Sequence, residues 1–169
     1  MSAQTPVWMG SQGSSIVFRP EGRCTFSICE TIDGGLRESA NQHIDHIYFD
    51  LSKADWLDST FTGYLVTFAT HRACRDVTTH LVSPSEAARH CLEQMHVLSI
   101  FTVEPHLAFS PESWRELTPV EATHEQVNAR LVDAHQCLIL TDARNEAQFA
   151  PVVKLFRAAS QSASTSKPS

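Results

Sequence analysis

Eight residues in the first third of the chain, Ile44 to Leu51 (IDHIYFDL), constrain the fold more than any other stretch. They alternate at first and then run apolar, the pattern of an interior strand buried on both sides. A strand of that kind needs neighbours, and the flanking periods supply them. Ser15 to Arg19 is a short β-branched run closed by Pro20-Glu21-Gly22, a turn signal, and Val7 to Met9, closed by Gly10, pairs with it across Ser11 to Ser14. Residues 25–42 read as an amphipathic helix with Phe26, Cys29, Ile32, Leu36 and Ala40 near one face, although Gly34 and Gly35 each cost it about 1 kcal/mol. Residues 59–75 read as a second helix, with Phe61, Leu65, Phe68 and Ala69 on its stripe. Thr78 to Val82 follows as a strand. Pro84 then suits the start of a helix over Ser85–Met95, with Ser83 as N-cap and Glu86 completing a capping box. Ser99 to Val103 is a last, weaker strand. The order β-β-α-β-α-β-α-β predicts an α/β domain, over residues 6–110, with helices packed against a mixed sheet.

The ends differ from this domain. Residues 1–5 read as a flexible N-terminus, and residues 158–169 (AASQSASTSKPS) lack the apolar groups that offset ordering entropy, so a disordered tail is expected. Between residues 111 and 157 lies a helical extension. Val120, Val127, Leu131, Ala134 and Leu138 recur at helical steps, and Phe149, Val152, Val153 and Phe156 form a second stripe. Thr141 to Asn145 breaks the two, and Pro151 requires the second helix to start close to it. A helical hairpin results, either folded back onto the α/β domain or paired with another chain as a homodimer contact.

Composition excludes several classes. The 169 residues carry 13 Lys and Arg against 19 Asp and Glu, a formal charge of −6, which argues against a nucleic-acid binder needing a basic face. Five cysteines form an odd set without a C-x-x-C pair, unlike a disulfide framework or a zinc ribbon. No signal peptide and no apolar run approaching about 20 residues is present, so a cytoplasmic protein outside the membrane is expected.

The chemically informative stretch is Asp58-Ser59-Thr60, at the start of the second helix. Asp, Ser and Thr are preferred caps, because a side-chain oxygen accepts a hydrogen bond from an otherwise unpaired amide. A hydroxyl there is equally a good seat for phosphate, since the free amides and the helix dipole favour negative charge. Phosphorylation would add about −1.5 to −2 charge and transform whatever surface docks around the loop.

In its wider setting the stretch resembles the core of the anti-sigma-factor antagonist family, the STAS domain. That family carries a strand ending in D-L-S and, a few residues on, D-S-[ST]-G-x-G at the start of a helix. Here stand Asp50-Leu51-Ser52, then Asp58-Ser59-Thr60-Phe61-Thr62-Gly63. Leu81 to Arg89 (LVSPSEAAR), with Leu92, Leu98 and Phe101, fits the strand, Pro-containing turn and helix that follow in the family. The resemblance covers roughly residues 6–104. It implies a mixed sheet with helices mainly on one side and a regulatory binding module working by partner switching. The implied partner is an anti-sigma factor that is also a serine kinase of the histidine-kinase-like ATPase type. By motif position the phosphoacceptor is Ser59, with Thr60 as second choice, and Asp58, Thr60, Phe61, Thr62 and Gly63 are the implied partner contacts. The chain departs from the pattern at Phe61, where the family has Gly, and at Thr62, where it has an aliphatic residue. Phe61 either touches the partner or packs with Leu65 one turn on. The alternative function is a constitutive, non-switching subunit of a larger signalling or lipid-transport assembly.

Rival sites are thinner. His43 and His46 are the tightest histidine pair, but no carboxylate or cysteine set completes a tetrahedral metal site. Cys91 beside His90 and His96 falls on the apolar side of its helix, where thiols are usually inert. Neither G-x-x-x-x-G-K-[ST] nor G-x-G-x-x-G occurs, so no cofactor, no metal and no enzyme activity is expected.

Overall fold

The architecture was obtained as a computed structural model that describes residues 4–70 and 76–165, with side chains as far as Ser162. Strands β1 (Val7–Gln12) and β2 (Ser15–Pro20) form the expected antiparallel hairpin. Next come β3 (Gly22–Cys24), a 3-10 turn at Phe26–Ile28, α1 (Cys29–Glu38), β4 (His46–Asp50), β5 (Ala54–Leu57) and α2 (Ser59–Thr70). β6 (Thr78–Val82), α3 (Glu86–Gln94), β7 (Thr102–Glu104) and β8 (Trp114–Glu116) follow, and α4 (His124–Thr141) and α5 (Glu146–Thr165) end the fold. The main sheet has six strands in the order β7-β6-β4-β2-β1-β8. β2, β4, β6 and β7 run parallel, and β1 is antiparallel to both of its neighbours.

β4 lies inside this sheet and is buried on both faces, as its apolar run predicts. Ile47 and Phe49 join Ile16, Phe18, Leu81 and the helices in the main core. On the opposite face Tyr48, Val17 and Val82 sit under Leu107, Phe109 and Trp114, so a loop covers that side and the helices keep to the other. The two glycines of α1 do not break it. A Cβ on Gly35 would come within 3.0 Å of Leu117 and Met9 and 3.1 Å of Phe18, so glycine here is what lets α1 lie close on the sheet.

Several expectations shift. Phe26 belongs to the 3-10 turn ahead of α1 and is 42% exposed, and Ala40 lies beyond the helix on the surface. Ala69 is also exposed, and the end of the helix expected over 71–75 lies outside the described residues. The cap of α3 is Ser85, whose Oγ accepts from the Ala88 amide at 3.0 Å and donates to the Ala54 carbonyl at 2.5 Å. Ser83 instead takes a left-handed φ of 44° and donates to the Pro105 carbonyl, so the capping box with Glu86 does not form. The strand expected over Ser99–Val103 begins at Thr102, after a 3-10 turn at Leu98–Ile100.

The extension is only partly helical. Trp114–Glu116 adds β8 to the free edge of β1, and Leu117 is buried in the core. Val120, expected on the first helical stripe, lies in the extended arm, where its amide donates to Thr31 Oγ1. α4 starts later because Thr123 and Gln126 close a reciprocal capping box. The hairpin folds back onto the domain. Asn145, 1% exposed, fastens its turn by donating to the Met95 and Leu138 carbonyls. Pro151 sits inside α5, beyond its first turn. The Ser-rich run expected to be disordered from 158 continues α5 to Thr165. Among the described residues no helix is long and apolar enough to cross a membrane.

Candidate functional site

The loop between β4 and α2 is held from both sides. β5 pairs in parallel with β3, and the Asp58 amide donates to the Cys24 carbonyl. Asp58 is the N-cap of α2. Its Oδ1 accepts from the Phe61 amide at 2.6 Å, its backbone carbonyl accepts from the Thr62 amide, and its Oδ2 reaches across to the Phe26 amide at 3.0 Å. One carboxylate thus joins two helix starts. Burial raises its pKa, while the amides of Phe61 and Phe26 and the nearby His135 pull it back toward the ionised form.

Ser59 is the first residue of α2 and is half-buried. Its Oγ lies 2.9 Å from Nε2 of His135, on α4. Nδ1 of His135 lies 2.6 Å from the Leu131 carbonyl, which can only accept, so Nδ1 carries the proton and Nε2 accepts from the Ser59 hydroxyl. His135 is 3% exposed and packs its ring against Phe149 of α5. The serine is therefore covered by this chain's own C-terminal hairpin.

The residues after Ser59 are covered too. Phe61 and Thr62 are fully buried and Thr60 is 3% exposed. Phe61 packs as a core residue beside Leu65 and Tyr64, so of its two readings the packing one describes this conformation. At Gly63 the helices α2 and α4 cross so closely that a Cβ would lie 2.8 Å from Ala134 Cα and nearer still to its carbonyl. Of the five expected partner contacts, Thr60, Phe61, Thr62 and Gly63 thus face the interior or α4 and offer no free surface as the hairpin stands.

A second set of contacts fixes α4 to α1. Arg130 forms ion pairs with Glu30 and with Asp33 and lies 4.9 Å over the Tyr64 ring, and Tyr64 donates to Asp33 at 2.7 Å. Burial disfavours the guanidinium charge, but the two carboxylates outweigh it and raise its pKa. Tyr64 is also pushed well up, by burial and then by Asp33. Neither His135 nor Arg130 stood out in the sequence. His135 is one of nine histidines and lies 76 residues from Ser59, and the only local signal was Ala134, a small residue on an otherwise larger apolar stripe.

The rival sites stay apart from this one. His43 pairs with Asp45 at the surface, whereas His46 faces His80 across β4 and β6 at 3.2 Å. Among the described residues no three His, Cys, Asp or Glu side chains come together as a metal site. Cys24 and Cys29, nearest to Asp58, have thiols raised by burial, Cys24 to about 12, and are protonated at neutral pH.

The Ser59–His135 contact carries a pH signature. Burial holds the His135 pKa below its ordinary value, partly offset by the Leu131 carbonyl and the Asp58 charge. A folded pKa below the unfolded one gives stability that is whole above about pH 6.5 and is lost as pH falls through that value. Asp58, the charged group facing His135 from α2, has the opposite sign, because its raised pKa favours the folded form in acid. It acts lower on the scale. His80, on β6, is also lowered by burial and weakens the whole fold in the histidine window. Hydrogen exchange, corrected for intrinsic rates, is therefore expected to show α4 losing more protection than β4 between pH 7.5 and 5.5. The excess is expected to vanish in a His135→Gln variant.

No curated protein matches the chain. Among solved structures it is similar to the anti-sigma factor antagonist SpoIIAA in its unphosphorylated form, with a TM-score of 0.49 and 14% identity over 57% of this chain and 86% of that one. It is also similar to TM1081 of Thermotoga maritima, described as a candidate anti-sigma factor antagonist, with a TM-score of 0.48 and 16% identity over 59% and 86%. A third likeness, to SLC26A9, has a TM-score of 0.45 and 10% identity over 62% of this chain and 23% of that one. The family model for the STAS domain matches residues 9–110. That match runs from Met9 within β1 through β7, takes in Asp58 and Ser59, leaves β8 and the hairpin as additions, and makes the chain a member of the STAS domain family.

Proposed function

We propose that this protein is a regulatory binding module that switches partners through phosphorylation of Ser59. The observation that carries the reading is the place of Ser59: the first residue of α2, directly after a capping aspartate, inside the region the STAS family covers. A phosphate there gains from the helix dipole and changes the local charge without breaking the helix. Asp58 orients the loop for the kinase, and Thr60, with its side chain turned inward, is the second choice of acceptor. The partner of this reading is an anti-sigma factor with serine kinase activity of the histidine-kinase-like ATPase type, and both act in the cytoplasm. The protein is then a kinase substrate and has no catalytic role of its own.

One observation favours a second reading. The Ser59 hydroxyl already has a partner in His135, which suits a constitutive subunit in which Ser59 is structural. Complexes recovered from the native host separate the two. The switch predicts that Ser59→Ala keeps its partner in all growth conditions and that Ser59→Asp loses it. A complex that survives Ser59→Asp unchanged supports the constitutive subunit.

A further inference from the structure

α4 lies across α1 and α2 with few of its residues buried. Of its 18 residues only Ala134, His135 and Leu138 are buried. Leu138 anchors it in the main core, and three placed contacts fix it to α1 and α2: Arg130 between Glu30 and Asp33, Ala134 over Gly63, and His135 on Ser59. A cleft of about 700 Å³ remains between α1, α2 and α4, bordered by Glu30, Asp33, Tyr64, Phe68, Arg130 and Cys137.

The surface beneath α4 is itself specific. It offers an acidic pair backed by a tyrosine ring, a glycine that admits one helix backbone at close range, and a serine hydroxyl. Arg130 and Ala134, four residues apart, meet the first two from one face of a single helix. We propose that the α1–α2 groove is the partner-docking surface, that α4 is its displaceable internal occupant, and that the partner enters it as a helix presenting an arginine and, one turn later, a small residue. The inference rests on the reading of this protein as a partner-binding module, but the groove and its occupant can be tested without any kinase. Docked α4 holds the Ser59 hydroxyl on His135, so a partner engages that hydroxyl only by displacing this contact.

The test uses the full chain with Ala134→Leu, which spoils the crossing from the α4 side and leaves the groove intact. The probe is a labelled synthetic peptide of residues 123–142 with the natural sequence. Hydrogen exchange is expected to show α4 losing at least tenfold protection in this variant while β4 and β6 keep theirs. The peptide is expected to bind the variant at least tenfold more tightly than it binds the natural chain. Adding Gly63→Ala to the variant, or changing Arg130→Glu in the peptide, is expected to reduce that binding at least tenfold. In the natural chain, α4 is expected to exchange through an opening that leaves β4 and β6 closed, which tests the idea even if the variant folds poorly. The proposal is overturned if α4 and the sheet exchange as one unit in the natural chain, or if the lifted variant ignores the peptide. It is also overturned if the peptide binds equally well with Gly63→Ala. Absence of phosphate on Ser59 would overturn the switch and leave these results standing.

Discussion

Gly63→Ala is expected to detach the C-terminal hairpin from the domain. In most helix interiors this change stabilises by about 1 kcal/mol, because alanine is the better helix former. Here the new methyl points at the backbone of Ala134, and a backbone cannot rotate aside as a flexible side chain can. Overpacking of a tight contact costs about 1–3 kcal/mol. Lifting α4 also removes the Arg130 ion pairs with Glu30 and Asp33. A net loss on the order of 3 kcal/mol is expected, seen as early proteolysis within residues 117–146 and as a lower Tm. A Gly63→Ala protein as stable as the natural one, with α4 equally protected, would mean that the helices do not cross there.

Charge at position 59 is expected to open the same hairpin. The 2.9 Å between Ser59 Oγ and His135 Nε2 leaves no room for a phosphoryl group, and Asp58, already unfavourably buried, stands beside it. A second anion in that place adds like-charge repulsion and desolvation, the combination through which phosphorylation disrupts an interface. Ser59→Glu should raise the exchange rate of α4 amides by about tenfold or more, equivalent to roughly 1.4 kcal/mol, and enzymatic phosphorylation should do more. The charge that lifts α4 also opposes any partner helix in the groove, so one modification clears both occupants. If phosphorylated protein instead shows α4 more protected, a protonated His135 is holding the phosphate and the switch works in the opposite sense.

The central sheet and the place of the serine were both legible in the sequence, because each is written locally. β4 announces itself by an apolar run, the β1–β2 hairpin by a turn between short strands, and Asp58-Ser59-Thr60 by cap chemistry at the head of an apolar stripe. Elements defined by pairing rather than by period were not legible. β3 and β5 have three and four residues and owe their strand character to one another, while Asp55 and Trp56 of β5 are both exposed and break any alternation. β8 is likewise made by the free edge of β1. Two serines lay within reach of the α3 start, and choosing Ser85 over Ser83 depended on its bond to Ala54, 31 residues away. For the site, the sequence held Ser59 and its neighbours but not their cover. The contacts that bury them join residues 71 to 100 positions apart: Gly63 with Ala134, Ser59 with His135, Arg130 with Glu30 and Asp33. A hairpin free to fold back or to pair with another chain reads the same in one dimension.

The switch requires that Ser59 be a regulated phosphoacceptor. It is tested most directly by recovering the protein from its native host in several growth conditions and mapping phosphate on the tryptic peptide from Ala54 to Arg72. Phosphate is expected on Ser59 in some conditions and absent in others, with Thr60 unmodified. A peptide that carries no phosphate in any condition, or carries it on Thr60 alone, would contradict the switch.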